Sequence, residues 1–477
     1  MAVTFGGRTT RIPSVIPNVD TSGLVRGGIT GSGIVGIIGT AEAGTEDTVQ
    51  TFRLPSNART EYRGGPLLDV ADAAWGHGAQ IVKMLRVGSG LSAASTTLSA
   101  SGGGGETELT ITSIEKGETY NDIQVKVETV GAEPSRKITI QFYDSDNNRT
   151  TTETFTASST TLLAAAINTP TSAGGSPSDL VTATVGASAT EVLNTSSYVS
   201  LTGGSDGTIN NTVVTNALAL FETEDVNIII FDEEVTDSTA HALAKSHCVV
   251  MSGQDRERIC IVGHALGDDV GDTDDSSSII GQAYGLNSDR AVLVSPGTDG
   301  RSAAYTAAKV AGLLAKIEVA EPLTFKGISA STIETSYSRT ELEDLIQYGV
   351  CAIEDSKAGR RVIRGITTVQ DPSSVTEDSF KEISVRRVVD LIVDTIRTNM
   401  EATYIGKRGV TGIENSMAGS VQSLLLRLKE NQTITNFRGI DVQRDSLRPD
   451  AFTVSFEVAP TFPINFILVD FKLQNVI

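Results

Sequence analysis

The sequence predicts a multidomain protein in which an α/β core carries an inserted, mostly β domain and is followed by an α+β domain. Three observations lead to this fold class. Short, continuously apolar strands alternate with helical segments around residues 33–87 and again after residue 210. Between residues 91 and 207 the chain changes to alternating strands rich in Ser, Thr and Gly, and it closes with a long amphipathic helix and two strands. A chain of 477 residues has room for three such domains, because a typical domain takes about 100–200 residues.

Residues 1–20 are expected to form an N-terminal linker arm and not a part of any core. Two prolines interrupt this polar stretch, and its apolar residues, among them Val3, Phe5 and Ile12, are too far apart to build one face of a helix or strand. Arms of this kind become ordered when another surface captures them.

The α/β core is assigned to residues 21–95 and 206–365, on either side of the insertion. Its strands are continuously apolar, which is typical of parallel strands covered by helices on both faces. The strands are expected at Ile34–Gly39, Ala79–Val87, Val226–Phe231, Arg258–Gly263 and Ala291–Ser295. The helices are expected at Leu67–Trp75, Val213–Phe221, Ser238–His247, Ser277–Tyr284 and Ala303–Ile317.

The inserted domain is assigned to residues 96–205. Gly-rich hinges are expected at both of its ends. Between them, apolar and polar residues alternate as they do in half-buried antiparallel strands. These strands are expected at Glu108–Thr112, Ile123–Thr129 and Lys137–Tyr143, and the last of them is expected to turn back through Thr150–Phe155 as a hairpin. The insertion is therefore interpreted as an exposed, acidic β domain.

The C-terminal domain is assigned to residues 366–477. Glu382–Met400 places its apolar residues along one broad side of a helix, and Ser416–Leu428 is expected to form a second helix. Two strands are expected after them, at Phe452–Val458 and Phe466–Leu473. A strand so close to the chain end can pair within its own subunit or extend a neighbour's open sheet edge.

Charge and composition exclude several classes of protein. The 58 acidic and 38 basic residues give a net charge of −20, so nucleic acid is a poor partner for the chain as a whole. The acidic residues are unevenly distributed along the chain. From Ile366 onward there are 12 basic and 14 acidic residues, so the first 365 residues carry a net charge of −18. No stretch approaches the roughly 18–20 apolar residues of a membrane span, and the N-terminus lacks the layout of a secretion signal, so we expect an intracellular start.

Two short motifs suggest enzymatic chemistry, but neither has the context that it needs. Gly31–Gly36 matches the dinucleotide fingerprint, yet its glycines come before or within a strand, whereas the fingerprint needs them between a strand and a helix. Gly203–Gly207 matches the nucleophile elbow, but no buried strand leads into it. No catalytic or cofactor-binding residue is predicted.

Metal sites are not predicted either. The acidic loops at Asp268–Asp275 and Asp144–Asn148 lack the Gly and Glu of an EF-hand, so both are interpreted as solvated loops in which only loose cation binding stays open. The four His residues are scattered, and the three Cys residues contain no C-x-x-C pair, so buried single thiols are expected.

Basic side chains in the C-terminal domain leave two explanations open. Ordinary ion pairs along the long helix would account for Arg386 with Asp390 and for Asp394 with Arg397. Alternatively, a positive face docks an acidic partner. The candidate docking residues are Lys381, Arg386, Arg387, Arg397, Arg427 and Lys429.

Taken in order along nearly the whole chain, several segments resemble contractile-tail sheath proteins, the family that wraps phage tails and related injection machines. Each segment alone is weakly specific, and their order is the stronger signal. The segments are Gly33–Gly44, Tyr62–Leu67, Gly76–Gly88, Leu201–Gly207, Ser295–Gly297 with the helix Ala303–Ile317, Leu342–Val350, Arg361–Thr368, Val385–Ile392 and Phe452–Ile464.

The resemblance implies a structural subunit without enzymatic activity or cofactor. Such a subunit forms a homo-oligomer, a helical sheath of stacked rings around a tail tube protein, and contracts to drive the tube through the host envelope for genome delivery. The implied partners are the tube, baseplate and tail terminator proteins, without nucleic acid and without direct membrane insertion. The implied location is the virion tail, after assembly in the host cytoplasm.

The resemblance also implies that the C-terminal domain faces the tube, so that the basic residues named above become candidates for tube docking. It further implies that the two terminal arms are lent as strands to neighbouring subunits. The candidate arm residues are Val3, Phe5, Ile12, Phe466, Leu468 and Phe471.

Three other functional hypotheses stay open. A sheath of a tailocin or another contractile injection system would carry the same sequence features, and neighbouring genes would distinguish it from a phage sheath. A nucleotide-dependent α/β enzyme depends on the Gly31–Gly36 match. An acidic surface-layer or adhesion protein is suggested by the β insertion, and the absence of a secretion signal counts against it.

Overall fold

The computed structural model describes residues 3–5, 8–10, 27–28, 33–99, 107–132, 134–144, 149–169, 176–186, 192–357, 359–370 and 378–471. Its strands are β1 Val3–Phe5, β2 Arg8–Thr10, β3 Gly27–Gly28, β4 Ile34–Gly39, β5 Gln50–Phe52, β6 Ile81–Arg86, β7 Ala93–Ser99, β8 Thr107–Lys116, β9 Gln124–Thr129, β10 Arg136–Asp144, β11 Arg149–Ala157, β12 Val181–Val185, β13 Ser196–Ser200, β14 Ile228–Phe231, β15 Ile259–Gly263, β16 Ala291–Ser295, β17 Val350–Ser356, β18 Gly359–Val362, β19 Thr433–Arg444 and β20 Phe452–Pro460. Its α-helices are α1 Pro55–Tyr62, α2 Pro66–His77, α3 Thr160–Asn168, α4 Asn211–Leu220, α5 Ser238–Ser252, α6 Ile279–Leu286, α7 Ala303–Lys316, α8 Arg339–Gln347, α9 Ile383–Tyr404 and α10 Ile413–Glu430, with 3₁₀ turns at Glu118–Asp122 and Asp378–Lys381.

The chain divides into two compact units. The first contains Met1–Gly36, Ala73–Val82 and Phe221–Ile477, and the second contains Ile37–Asp72 and Lys83–Leu220. The mixed α/β class with several sheets is confirmed. The domain boundaries at residues 95/96, 205/206 and 365/366 stay predictions.

A buried parallel sheet forms the centre of the first unit. Strands β14, β15, β16 and β17 run parallel in that order, and β18 adds antiparallel to β17. Every residue of β14, β15 and β16 is buried, which accounts for their continuously apolar sequences. Helix α7 packs on this sheet through its many alanines, and Gly312 lets α7 approach the backbone of α2, because a Cβ there would lie 2.1 Å from the Ala74 carbonyl oxygen.

The C-terminal helices and strands of the first unit pack around a second apolar cluster. Helices α9 and α10 each contribute one apolar side to this cluster, and apolar side chains of the β19–β20 hairpin pack against it. The short strand β3 pairs with β19 at Thr433 and Ile434, so this sheet has the order β20–β19–β3. One long edge of β20 is therefore open within the described chain.

The second unit contains two antiparallel sheets around one core. Their strand orders are β11–β10–β9–β13 and β12–β8–β7, and the β10–β11 hairpin pairs from Arg136 opposite Ala157 to Asp144 opposite Arg149. Helix α3 closes the core with Leu163, Ala164 and Ile167. The sequence analysis did not predict α3, although Ser159 is a sequence-visible cap: its hydroxyl accepts a hydrogen bond from the Leu162 amide.

The Gly-rich exit of the insertion pairs with the segment that precedes the insertion, whereas the Gly-rich stretch at its start falls in residues 100–106, outside the described part. Ser89, Ser92 and Ser95 form antiparallel bridges with Thr208, Ser205 and Thr202 respectively. The glycines permit close approach of backbones.

A buried arginine fixes the same region of the second unit. Arg86 donates to the carbonyl oxygens of Gly44 at 2.7 Å and Lys116 at 3.0 Å, and it lies 3.7 Å from the Asp206 carboxylate. Burial lowers the pKa of Arg86 and raises that of Asp206, and the attraction between the two opposes both shifts.

The predicted strand Phe466–Leu473 is wrong for the residues that the structure describes. From Thr461 to Phe471 the chain forms no strand, because no strand of the described chain pairs with it; residues 472 and 473 lie outside the described part. Near the N-terminus, β1, which contains Val3 and Phe5, pairs antiparallel with β2, and Ile12 lies outside the described residues.

Two glycine substitutions test the packing of the parallel sheet. A Cβ on Gly263, at the end of β15, would lie 2.0 Å from the Ala303 carbonyl carbon, so Gly263→Ala is expected to lower the free energy of unfolding by about 1–3 kcal/mol. A Cβ on Gly285 in α6 meets nothing within 4 Å, so Gly285→Ala is expected to raise it by about 0.5–1 kcal/mol. Urea denaturation of both variants measures the difference, and equal effects would contradict the packing.

Candidate functional site

The basic residues before and along α9 are engaged within the chain. Lys381 is fully buried, and its ammonium group donates to the Gln347 carbonyl oxygen at 2.9 Å. Arg386 is also buried, and its guanidinium group contacts Asp289 at 2.8 Å and Asp390 at 2.7 Å. Arg290, which comes from the loop before β16, pairs with the other oxygen of Asp390. These contacts attach the first half of α9 to the parallel sheet.

Arg397 attaches the second half of α9. Its two terminal nitrogens contact both carboxylate oxygens of Glu257 at 2.6 and 2.7 Å, and further contacts reach Asp255 at 3.1 Å and Asp394 at 3.0 Å. Burial lowers the pKa of Arg397, but the hydrogen bonds and charge of Glu257 outweigh burial and leave the pKa above its ordinary value. The predicted helical pairs, Arg386 with Asp390 and Asp394 with Arg397, are both present.

The other three candidate docking residues are more accessible. Arg387 is half-buried, and its guanidinium group lies 3.4 Å from the Glu318 carbonyl oxygen. Arg427 and Lys429 are exposed near the end of α10, where Lys429 donates to the Asn436 side chain at 3.0 Å. The six residues therefore do not form one exposed face in the described chain.

An exposed apolar segment follows the last strand. Phe466 is 79% exposed, Leu468 is 95% exposed and Phe471 is 75% exposed. Ile464, Ile467 and Val469 in the same segment are exposed as well. An exposed apolar run of this kind is typical of interaction sites on soluble proteins, and the open edge of β20 offers unpaired backbone groups in the same part of the described chain.

A hydrogen-bonded chain of His264, Ser295 and Tyr337 lies at the carboxyl ends of β15 and β16. His264 Nε2 is 3.0 Å from the Ser295 hydroxyl, which is 2.7 Å from the Tyr337 hydroxyl. Asp268 approaches His264 Nδ1 only to 3.7 Å, and that nitrogen lies closer, at 2.7 Å, to the Ala265 carbonyl oxygen. Ser295 is 0% exposed, so the arrangement has the residue types of a Ser–His–Asp triad without a nucleophile that a substrate can reach. This group carries no local sequence signal because its members come from separate segments of the chain.

The glycines of the dinucleotide-like motif serve packing. A Cβ on Gly33 would lie 2.7 Å from the Ala315 Cα atom in α7, and one on Gly36 would lie 2.9 Å from the Phe221 ring. Gly31 lies outside the described residues. These positions leave room for α7 and for an aromatic side chain, so phosphate binding has no support in the described part of the motif.

Within the described ranges, no group of three or more His, Cys, Asp or Glu side chains could hold a metal ion. No helix in that part of the chain combines the length and apolar character that a membrane span requires. The three cysteines are buried and free, as predicted.

Two sequence matches decide the family. Residues 207–368 match the central domain of the phage tail sheath protein, and residues 375–474 match the phage tail sheath C-terminal domain. The chain belongs to the contractile-tail sheath family.

Curated tail sheath proteins of phages share this sequence relationship. The chain is 31% identical to the tail sheath protein of Bacillus phage SP01 over 248 residues, which cover 49% of this chain and 41% of that protein. It is 24% identical to the putative tail sheath protein of Enterococcus phage phiEF24C, with 94% of this chain and 95% of that protein covered. The match thus spans less than half of one tail sheath relative and nearly the whole of another.

Solved sheath structures share the fold. The sheath tail protein of Desulfitobacterium hafniense superposes with a TM-score of 0.66 at 18% identity, with 90% of this chain and 96% of that chain covered. The contracted helical sheath of the anti-feeding prophage gives a TM-score of 0.55 at 10% identity, with 98% and 100% covered. The sheath fold is therefore maintained at low sequence identity.

Removing Arg397 tests the attachment of α9. Arg397→Ala is expected to lower the free energy of unfolding by about 3–5 kcal/mol, because it leaves Glu257 and Asp255 without their buried cation. The exposed Arg427→Ala serves as the matched control and is expected to change it by less than about 0.5 kcal/mol. Urea unfolding gives both values, and similar losses in the two variants would show that α9 is not held by this contact.

The buried imidazole of His241 gives a pH-dependent stability. Burial lowers the pKa of His241 to about 4, so the unfolded chain binds this proton more readily than the folded chain between about pH 6.5 and pH 4. The contribution of neutral His241 to the free energy of unfolding is therefore fully present above about pH 6.5, and about 2 kcal/mol of this contribution is lost by pH 5. We expect His241→Leu to lose correspondingly less stability than the parent chain when urea midpoints are compared at pH 7 and pH 5. An equal loss in both chains would assign the pH dependence to other groups.

Proposed function

We propose that the protein is the structural subunit of a contractile tail sheath, which polymerises as a helical cylinder around a tail tube and contracts to drive the tube through a host envelope for genome delivery. The observation that carries the proposal is the exposed apolar segment Ile464–Phe471 in a chain of this family. Exposing these apolar side chains to water is unfavourable in a monomer, whereas a polymer would bury them between subunits.

The proposed contact between subunits is strand addition by the terminal arms. The segment from Ile464 to Phe471 has eight residues, and a strand of that length spans about 26 Å. Its backbone has no strand partner within the described chain, and β20 has an open edge. We therefore propose Phe466, Leu468 and Phe471 as residues lent to a neighbouring copy, and Val3, Phe5 and Ile12 as the corresponding residues of the N-terminal arm.

The tail tube is the proposed inner partner, and the C-terminal α+β part is the proposed tube-facing surface. Among the six predicted basic residues, Arg427 and Lys429 offer exposed positive charge for an acidic tube surface, whereas Lys381, Arg386 and Arg397 are engaged within the chain. Baseplate and tail terminator proteins are the proposed partners at the two ends of the cylinder. We place the assembled protein in the virion tail and its assembly in the host cytoplasm.

Contraction is proposed to need no catalytic step by this chain. The burial of Ser295 supports a non-enzymatic subunit, and the packing of Gly33 and Gly36 gives no support to a nucleotide site. The energy would be stored when subunits assemble into the extended lattice around the tube. A sheath of a tailocin or another injection system would use the same subunit chemistry, and the presence or absence of capsid genes beside this one distinguishes them.

Electron microscopy with paired leucine variants tests the polymer and its contact. Purified protein at rising concentration, with and without tube, is expected to form helical tubes or stacked rings. Leu468→Asp is expected to abolish them by placing charge in the apolar contact, whereas Leu447→Asp changes a leucine of similar exposure, 89% against 95%, in the β19–β20 turn and is expected to assemble normally. Equal assembly of both variants would rule out the C-terminal segment as the contact. A parent chain that stays monomeric with tube present would argue against the sheath function.

A further inference from the structure

One side chain at the start of the exposed segment, that of Asn465, points toward the rest of the protein and not into solvent. Asn465 is half-buried, whereas both of its neighbours, Ile464 and Phe466, are exposed. The Asn465 amide nitrogen donates to Glu382 Oε1 at 2.9 Å, and its amide oxygen accepts from the Thr324 hydroxyl at 3.1 Å. Both functional atoms of the amide are thus used at the point where the exposed apolar run begins.

Glu382 is a rigid acceptor for this contact. It is 1% exposed, and Arg364 donates to the same oxygen, Oε1, at 2.7 Å through both Nε and Nη2. Its backbone bridges Ile366, and it directly precedes α9. A buried carboxylate with a guanidinium partner and a fixed backbone has little freedom, so a group bonded to it is held in place.

Thr324 gives the contact a second attachment. The loop that contains it is bonded along β18, where the amide of Phe325 donates to the Val362 carbonyl oxygen at 2.8 Å and that of Ile328 to the Arg360 carbonyl oxygen at 2.9 Å. Asn465 therefore joins the start of the exposed segment to the edge of the parallel sheet through Thr324 and to the start of α9 through Glu382.

Fixing the start of the exposed segment, here called its root, changes how the segment can bind a partner. Ordering one residue of backbone costs about 1–2 kcal/mol, so a segment that leaves from a fixed point has fewer residues to order when it binds. A fixed root also limits the directions and distances at which a partner can be met, which raises the effective concentration at one geometry and lowers it at others.

We propose that Asn465 is a positioning residue: with Glu382 and Thr324 it clamps the root of the C-terminal segment, so that Phe466–Phe471 is presented to a second copy of this chain from a fixed point. This inference rests on the proposed function for its partner. The clamp itself belongs to the single chain and can be measured there.

An exchange of the two polar groups tests the clamp. Asn465→Asp places a second carboxylate against Glu382 and is expected to release the root. The double variant Glu382→Gln with Asn465→Asp restores a donor opposite an acceptor and keeps one negative charge beside Arg364, so it is expected to restore the clamp. Asn465→Ala removes the contact without adding charge and serves as a third variant.

Two readouts separate the clamp from the assembly. In the monomer, a dye on Asp470→Cys reports local motion by fluorescence anisotropy, since the three native cysteines are buried. In the polymer, light scattering on unlabelled chains gives the threshold concentration for assembly. Asn465→Asp and Asn465→Ala are expected to lower the anisotropy and to raise the threshold about five- to tenfold, whereas the double variant is expected to return both to within about twofold of the parent chain.

The outcomes are distinct. Unchanged anisotropy in both single variants would overturn the clamp, and so would a loss that the double variant does not recover. Lowered anisotropy with an unchanged threshold would overturn the role of the clamp in presenting the segment to a second copy. If the parent chain forms no polymer even with tube present, the proposed function fails, and the anisotropy of the three variants still decides whether Asn465 holds the start of the segment in place.

Discussion

The charged attachment of α9 to the parallel sheet is the constraint on which the C-terminal part of this protein depends. Arg386 and Arg397 lie about three turns apart on one helix, and each is bonded to carboxylates that precede a strand of the sheet. Replacing such ion pairs by apolar contacts often costs no stability, so their value lies in the single geometry that they permit. The contacts of Arg386 with Asp289 and of Arg397 with Glu257 add directed interactions to the apolar packing of α9, and these interactions help to specify the register of the helix on the sheet. The position of α10, of the β19–β20 hairpin and of the root at Asn465 follows from that register.

The second unit also contains a buried arginine that joins distant segments, with a different result. Arg86 reaches two carbonyl oxygens and one carboxylate, and in this way it closes the paired segments at the two ends of the insertion. Two of these three partners are backbone atoms, so the contact depends mainly on the path of the chain. Antiparallel strands then build the two sheets of the unit, from local pairings such as the β10–β11 hairpin and from distant ones such as β12 with β8.

The sequence predicted elements well where the signal is local, and contacts poorly where it is not. Continuous apolar runs predicted β14, β15 and β16 because burial on both faces leaves no polar position. Helical spacing predicted the pairs of Arg386 with Asp390 and of Arg397 with Asp394, but Asp289, Asp255 and Glu257 are about a hundred residues or more away in sequence and carry no signal that links them to α9. The same limit explains the strand expected at Phe466–Leu473: its residues favour a strand, but a strand also needs a partner, and none follows from the sequence. For Arg386 and Arg397 the sequence predicted charge along the helix, and contacts with Asp289 and Glu257 turn these side chains inward. Lys381, just before the helix, is buried with its ammonium group on the Gln347 carbonyl oxygen.

The exposed segment after Asn465 and the net charge of −20 oppose each other in the free chain, which gives solution conditions control over when two copies meet. Electrostatic repulsion between like-charged copies extends over about 30 Å in 0.01 M salt and about 10 Å in 0.1 M salt, whereas the apolar segment attracts only at contact. In dilute salt the copies are kept apart before the segment can act; with added salt the barrier shrinks while the apolar attraction persists. In the proposed self-association, repulsion acts before attraction during an encounter, so ionic strength is expected to control the rate at which copies associate.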